Sequence, residues 1–321
     1  ILLVSQNKIN EKIINWELVG VNPSSKNWDW RDLFCFWAVN VQSIIGFSLI
    51  ASLYVIYDLN SLVVFAGSIL GSFFVYFFSN FIGRPSQKYG LPFATLLRAS
   101  LGYSGAKFFG FLRGLVGIFF FGIQTYFLSK AFGYLIRVLI FSIDNSFLQK
   151  DILLFFFLGL NLIDWISITL SIFVQVSLFS VGMVFNRKIM KFSAITVYIG
   201  IFMFFLIVLL NDVKISSQAF LQSVNYYNFF DQKNFIPLLT VAGTVFAYFS
   251  IIILSYGDFS RHVKNKSELK KGNLSLILNL VVFSFMALFI VSGADALIKQ
   301  DAQNLSRILT NPTDIIGKMN N

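Results

Sequence analysis

Seven apolar runs, at 33–57, 62–81, 108–141, 161–185, 192–210, 236–256 and 274–292, recur along a chain of 321 residues with polar connections between them. An α-helix rises about 1.5 Å per residue, so roughly 20 apolar residues cross a hydrocarbon core about 30 Å thick. Lipid offers no partner to a backbone N–H or C=O, so each run must satisfy its own hydrogen bonds as a helix. The chain is therefore read as an all-α polytopic membrane protein. Its charge content agrees: 12% of residues are charged, against about 25% in a soluble domain. The 40 Phe are spread over nearly every run and are ordinary lipid-facing surface. With one cysteine, Cys35, and one histidine, His262, neither a disulfide framework nor a multi-Cys/His metal site can be assembled.

Loop charge sets the expected orientation. The segments "GRPSQKYGLPFATLLRASLGYSGAK", "NRKIMK" and "RHVKNKSELKK" are strongly basic, whereas "YDLN", "SIDNSFLQKD" and 211–235 are balanced or acidic. Basic loops stay on the cytoplasmic side, which places the N-terminus, with Lys8, Lys12, Lys26 and Arg31, inside as well. Alternation then allows 151–185 a single crossing, with the part before Asn161 at the outer interface. The net charge of +10 is a topology signal, and nucleic acid is not an expected partner. The chain opens on "ILLVSQNKIN" without Met and stops in the polar "NPTDIIGKMNN". It reads as a piece of a longer protein: 1–31 a cytoplasmic segment, 32–293 transmembrane helices one to seven, and 294–321 an external loop leading to a missing helix eight.

Three spans carry more than lipid-facing filler. In the first, "FCFWAVNVQSIIGF" sets Asn40 and Gln42 close to Gly46. Polar groups and irregular backbone survive at membrane depth only against protein or a cavity, so an unwound segment is expected near 38–46. The Asn40 and Gln42 amides would satisfy the broken backbone. In the third span, Phe120 and Gln124 are four apart and share a helix face, offering one ligand a flat aromatic surface and a donor–acceptor amide. The sixth span has Pro237 and Gly243 before the aromatic pair Tyr248 and Phe249. Gly/Pro-interrupted spans at corresponding places in two halves point to a transporter binding site, and spans one and six are five apart, the interval of two five-helix inverted repeats. Hydrogen bonding between neighbouring helices is the competing reading of each amide. Asp164, near the outer end of its span, is read as a surface residue.

These motifs carry a resemblance. The loop "GRPSQKYGLPFATLLRASLGYSGAK", then "FLRG", "FGIQT" in the third span and "GDFSR" at 257–261, taken in that order and spacing, resemble the nucleobase:cation symporter-1 family of cytosine, purine, uracil, thiamine, allantoin and hydantoin permeases. The resemblance runs from about Asn22 to the end of the chain. It implies a five-plus-five inverted-repeat (LeuT-like) transporter of twelve helices, truncated here after about seven, importing a small planar heterocycle with Na⁺ or H⁺. It implies substrate contacts from Gln42, Phe120, Gln124, Tyr248 and Phe249, and half a sodium site from the backbone carbonyls of Ala38 and Val41. The other half would come from helix eight. Phenylalanine at two positions where the hydantoin transporter has Trp, and Tyr248 where it has Gly, imply a pocket of different shape. No cofactor other than the coupling cation is implied, and the expected state is a monomer in the inner (plasma) membrane.

Two alternatives stand beside this reading. An amino-acid/cation symporter would share the architecture, and a channel would need charge rings or a repeated filter sequence. A membrane-embedded enzyme would need a nucleophile, a metal cluster or paired carboxylates at one depth, and no such constellation appears in the spans. Enzymatic activity is not expected.

Overall fold

A computed structural model of the chain describes residues 19–143, 156–224, 229, 231–301, 312 and 315. Residues 1–18 of the expected cytoplasmic segment, much of the connection after the third span, and most of 302–321 lie outside the described residues. The elements are α1 (Trp30–Val41), α2 (Ile44–Val55), α3 (Ser61–Tyr89), α4 (Phe93–Ile143), β1 (Phe156–Phe157), β2 (Leu160–Asn161), α5 (Leu162–Ser180), α6 (Met183–Asn211), α7 (Val213–Ser223), α8 (Phe235–Ser255), α9 (Gly257–Ser260) and α10 (Lys266–Asp301). Six helices are long and apolar enough to cross a membrane. The α1–α2 pair, bent by 55°, passes the same test when its two helices are taken together as one broken span. Each of the seven apolar runs is largely helical, and α5 is the membrane-length helix among the described residues of 151–185.

Several connections differ from expectation. The long basic segment after the second span is helical over most of its length. α3 continues through Tyr89 with Pro85 inside it, Gly90 ends it in the left-handed conformation (φ 73°), and α4 starts at Phe93. Only Gly102 (φ 68°, ψ −174°) breaks α4. "NRKIMK" lies within α6, 211–235 holds α7, and α10 continues past 293 to Asp301. Hydrophobicity marks the part of a helix that lipid touches, and helices continue beyond it where nothing stops them. The sixth span is also uninterrupted: α8 is continuous over Phe235–Ser255. Pro237 sits in its first turn, where the N–H has no helical acceptor to lose, and Gly243 costs the helix too little to break it.

The chain divides into two compact units, 1–102 with 190–321, and 103–189. In the first, α3 packs on α8 and α10, and α10 packs on α1, α2 and α7. The core contains Leu33, Trp37, Phe249, Tyr256, Leu276 and Ile290. The membrane window of α10 is 61% buried, which makes this helix the centre of the unit. Glycines let α3 approach α8 closely. A Cβ at Gly67 would stand 2.7 Å from the Val241 Cβ, and one at Gly71 2.8 Å from the Ala242 carbonyl oxygen. At one end of the unit, Trp28 pairs with 262–264 through Trp28 N–H to His262 O and Lys264 N–H to Trp28 O, both 3.0 Å. Lys26 Nζ donates to the Gln87 carbonyl in the last turn of α3. The "GDFSR" and "GLPF" motifs meet here: Asp258 Oδ1 accepts the Phe93 N–H at 2.8 Å, capping the start of α4. Asp32, wholly buried near the start of α1, pairs with Lys191 Nζ of α6 at 2.8 Å.

In the second unit, α4 and α5 are joined by polar contacts along their length. Thr125 Oγ1 donates to Gln175 Oε1 at 2.9 Å. Asp164 accepts from Arg137 Nη2 at 3.0 Å, with Lys130 Nζ 4.0 Å away. Asp164 also closes a capping box with Asn161 at the start of α5. It is thus a partly buried, ion-paired helix-capping residue and not the surface carboxylate expected.

Candidate functional site

The first span breaks where the amides are. α1 ends at Val41, Gln42 takes non-helical angles (φ −84°, ψ 64°), and Ser43 is extended before α2 begins at Ile44. Ser43 repairs the break: its Oγ accepts the Gly46 N–H at 3.0 Å, an N-cap for α2. The amides do not perform this role. Asn40 Nδ2 returns to Phe36 O on its own helix at 2.7 Å. The carboxamide of Gln42 is buried beside the Tyr198 hydroxyl, close enough to interact with it, and neither its N nor its O completes a well-formed hydrogen bond to a described residue. An amide left without a complete hydrogen bond in a dry core costs about 1–3 kcal/mol. The Ala38 carbonyl accepts Gln42 N–H at 3.0 Å, and the Val41 carbonyl accepts Ser43 N–H at 2.9 Å. Each carbonyl oxygen has a second lone pair.

Beside the break stands the aromatic pair of α8. Phe249 is buried, its ring edge-on to Trp37 at 6.3 Å and to Tyr248 at 5.0 Å. Tyr248 is half-buried, and its hydroxyl lies 2.8 Å from Ser43 Oγ. Together Val41, Gly46, Leu49, Ile50, Val245, Tyr248, Phe249, Leu280 and Phe283 line a small cavity of about 20 Å³, room for a single water. Next to it, sharing the Leu49 wall, a cleft of about 410 Å³ runs between α2 and α8, lined by Ser52, Tyr57, Pro237, Thr240 and Thr244. That is the size range of small-molecule sites.

Ala38, Val41, Gln42, Tyr248 and Phe249 are thus brought together in one unit. Phe120 and Gln124 belong to the other, one turn apart on α4; Phe120 is half-buried, edge-on to Phe119 at 6.0 Å, and Gln124 is exposed. Sequence reasoning missed several polar residues. Trp37 Nε1 (3.3 Å) and the Tyr256 hydroxyl both donate to Asn273 Oδ1, and the Tyr198 hydroxyl donates to Asn279 Oδ1. These bonds tie α10 to α1, to the end of α8 and to α6. The two amides of "GNLSLILNL" were the available signal, but their partners lie in distant parts of the chain.

An all-helical chain whose first span is broken beside a continuous, aromatic-bearing helix defines a polytopic membrane protein built around an interrupted helix. Residues 20–319 match the family described as permease for cytosine/purines, uracil, thiamine, allantoin. The chain belongs to this family, that of the nucleobase:cation symporters. It is 28% identical to a putative allantoin permease of Escherichia coli (strain K12) over 91% of this chain and 59% of that one. With the purine-uracil permease NCS1 of Arabidopsis thaliana it shares 24% identity over 98% of this chain and 49% of the relative. The chain therefore spans about half to three-fifths of the length of these curated relatives. The solved structure of Mhp1, a nucleobase-cation-symport-1 family transporter in a closed conformation with bromovinylhydantoin bound, superposes with a TM-score of 0.69 at 15% identity. It covers 95% of this chain and 61% of that one. That likeness establishes the LeuT-like fold.

Proposed function

We propose that the protein, in its full length, is a secondary active transporter that imports a small planar nitrogen heterocycle of the nucleobase, allantoin or hydantoin type, driven by Na⁺ or H⁺. The observation that carries this reading is the break in the first span, where a buried carboxamide, Gln42, without a complete hydrogen bond to a described residue, sits in the unit that also holds the Tyr248–Phe249 pair. A carboxamide pairs with the N–H/C=O edge of a ring in two hydrogen bonds, and aromatic faces favour planar ligands. Gln42, Tyr248 and Phe249 are assigned to the ligand, joined by Phe120 as stacking face and Gln124 as edge contact on α4. The carbonyls of Ala38 and Val41 are assigned to half of a Na⁺ site. Carbonyl oxygens at an unwound turn suit such a hard cation. The relatives' names, which specify allantoin, purines and uracil, support the ligand class. The protein is assigned to the plasma membrane as a monomer with its N-terminus cytoplasmic, and 32–293 as helices one to seven.

Competition of labelled uptake by hydantoins, purines and pyrimidines in the full-length chain tests the assignment. Phe120→Ala should weaken every planar ring alike, by about 1–3 kcal/mol on the scale of base–aromatic stacking. Gln124→Leu keeps the volume and removes the amide, so it should change the ranking among rings at a cost of roughly 1–3 kcal/mol. If Gln124→Leu alters neither affinity nor ranking, the residue has no ligand contact and the pocket lies elsewhere.

A further inference from the structure

The cavity at the break in the first span is too small for any ring, and its walls differ in freedom. Val41, Ile50, Val245, Phe249, Leu280 and Phe283 are buried core residues. Gly46 is locked as well, since a Cβ there would meet the Val41 carbonyl oxygen at 2.8 Å. Tyr248 and Leu49 keep part of their surface outside the core, and the Tyr248 phenol is tethered to Ser43 by one hydrogen bond. Ser43 has a further bond that does not depend on Tyr248, accepting the Gly46 N–H. If the phenol swings away, Ser43 remains in place with an O–H proton and a lone pair unused.

We infer that Ser43 and Tyr248 form a tethered gate at the proposed ligand site. Tyr248 closes the cavity in the unliganded protein. A heterocycle entering beside Gln42 displaces the phenol and takes over its hydrogen bond, so Ser43 is a further ligand contact that reads an N–H or C=O on the ring edge. The inference rests on the heterocycle-transport reading. The tether favours the closed state, so apparent affinity is reduced by the fraction of molecules that are open.

The test is equilibrium binding of radiolabelled uracil, cytosine, hypoxanthine, hydantoin and allantoin to the purified full-length chain, with monodispersity and melting temperature confirming that each variant is folded. Tyr248→Phe keeps the ring and its Phe249 contact but cuts the tether. It should bind every ring that the wild type binds about two- to tenfold more tightly, the equivalent of one neutral hydrogen bond. Ser43→Ala loses tether and ligand contact together and should not share the gain. Adding Tyr248→Phe to Ser43→Ala should then change nothing. Unchanged or weaker binding by Tyr248→Phe, against a wild type that binds, overturns the gate and leaves the transport reading intact. Equal gains in Tyr248→Phe and Ser43→Ala overturn the ligand contact, because Ser43 would then be a tether only. A wild type that binds none of the five rings removes the heterocycle reading and the gate with it.

Discussion

His262 is held as a neutral imidazole. Its Nε2 is buried without a hydrogen-bond partner among the described residues, and its ring leans on Trp28 at 6.0 Å. Burial, and then the charge of Arg261, push its pKa from 6.5 down to about 4, against the opposing pull of Asp258. The unfolded chain takes up its proton near 6.5 and the folded chain only near 4, so stability is fully present above 6.5 and declines as pH falls through that interval. The melting temperature of the purified protein should drop between pH 6.5 and 4, and His262→Gln should flatten that slope. An unchanged slope would place the acid sensitivity in other groups. Individual residues were unevenly legible in the sequence. Gln42 stood out because an amide in an apolar run is conspicuous. Ser43, which caps the break and holds Tyr248, did not, because serine occurs throughout these spans and a hydroxyl has no pattern of its own. The roles of Asn273 and Asn279 depend on Trp37, Tyr256 and Tyr198, and such pairings form only on folding.

Helix contacts in this unit are made by small residues. Because lipid tails are as apolar as leucine, association depends on close packing, and α3 presents Gly67, Gly71 and Gly83 to Val241, Val245 and Tyr256. Gly67→Ala would bring a methyl within 2.9 Å of the Leu238 carbonyl oxygen, which cannot move without its helix. The substitution should cost about 1–3 kcal/mol, read as a lower melting temperature. Gly200→Ala on α6, with nothing within 4 Å of the added methyl, should be neutral or stabilising by up to about 1 kcal/mol. Equal effects at the two sites would mean that packing against α8 is not what Gly67 serves. At this level the spans were legible from apolar length alone, and the break in the first from its amides. The extensions of α3, α4 and α6 were not, because polarity in a helix outside the bilayer looks the same as polarity in a loop. Pro237 and Gly243 misled for a related reason: they interrupt a helix only where position makes them costly.

Across the whole chain, the charge pattern that distinguished the loops yields a topology open to direct measurement. In a Cys35→Ser background, single cysteines replacing Lys88, Asn186 and Lys266 should resist a membrane-impermeant maleimide in intact cells. One replacing Asp58, at the turn between α2 and α3, should react. Labelling at position 266 from outside would invert the assignment. Fold class was legible in the apolar runs because the bilayer permits so few alternatives. How the helices share their contacts was not, since periodicity does not say which helix faces which. The cap that Asp258 places on Phe93 has a consequence in time. The two residues are 165 apart in sequence, and ribosomes add about 5–20 residues per second. Phe93 is therefore synthesised on the order of ten seconds before the carboxylate that caps it. Until then the amide at Phe93 has to find another acceptor, and the joint between the chain's two most recognisable motifs closes only once Asp258 has been made.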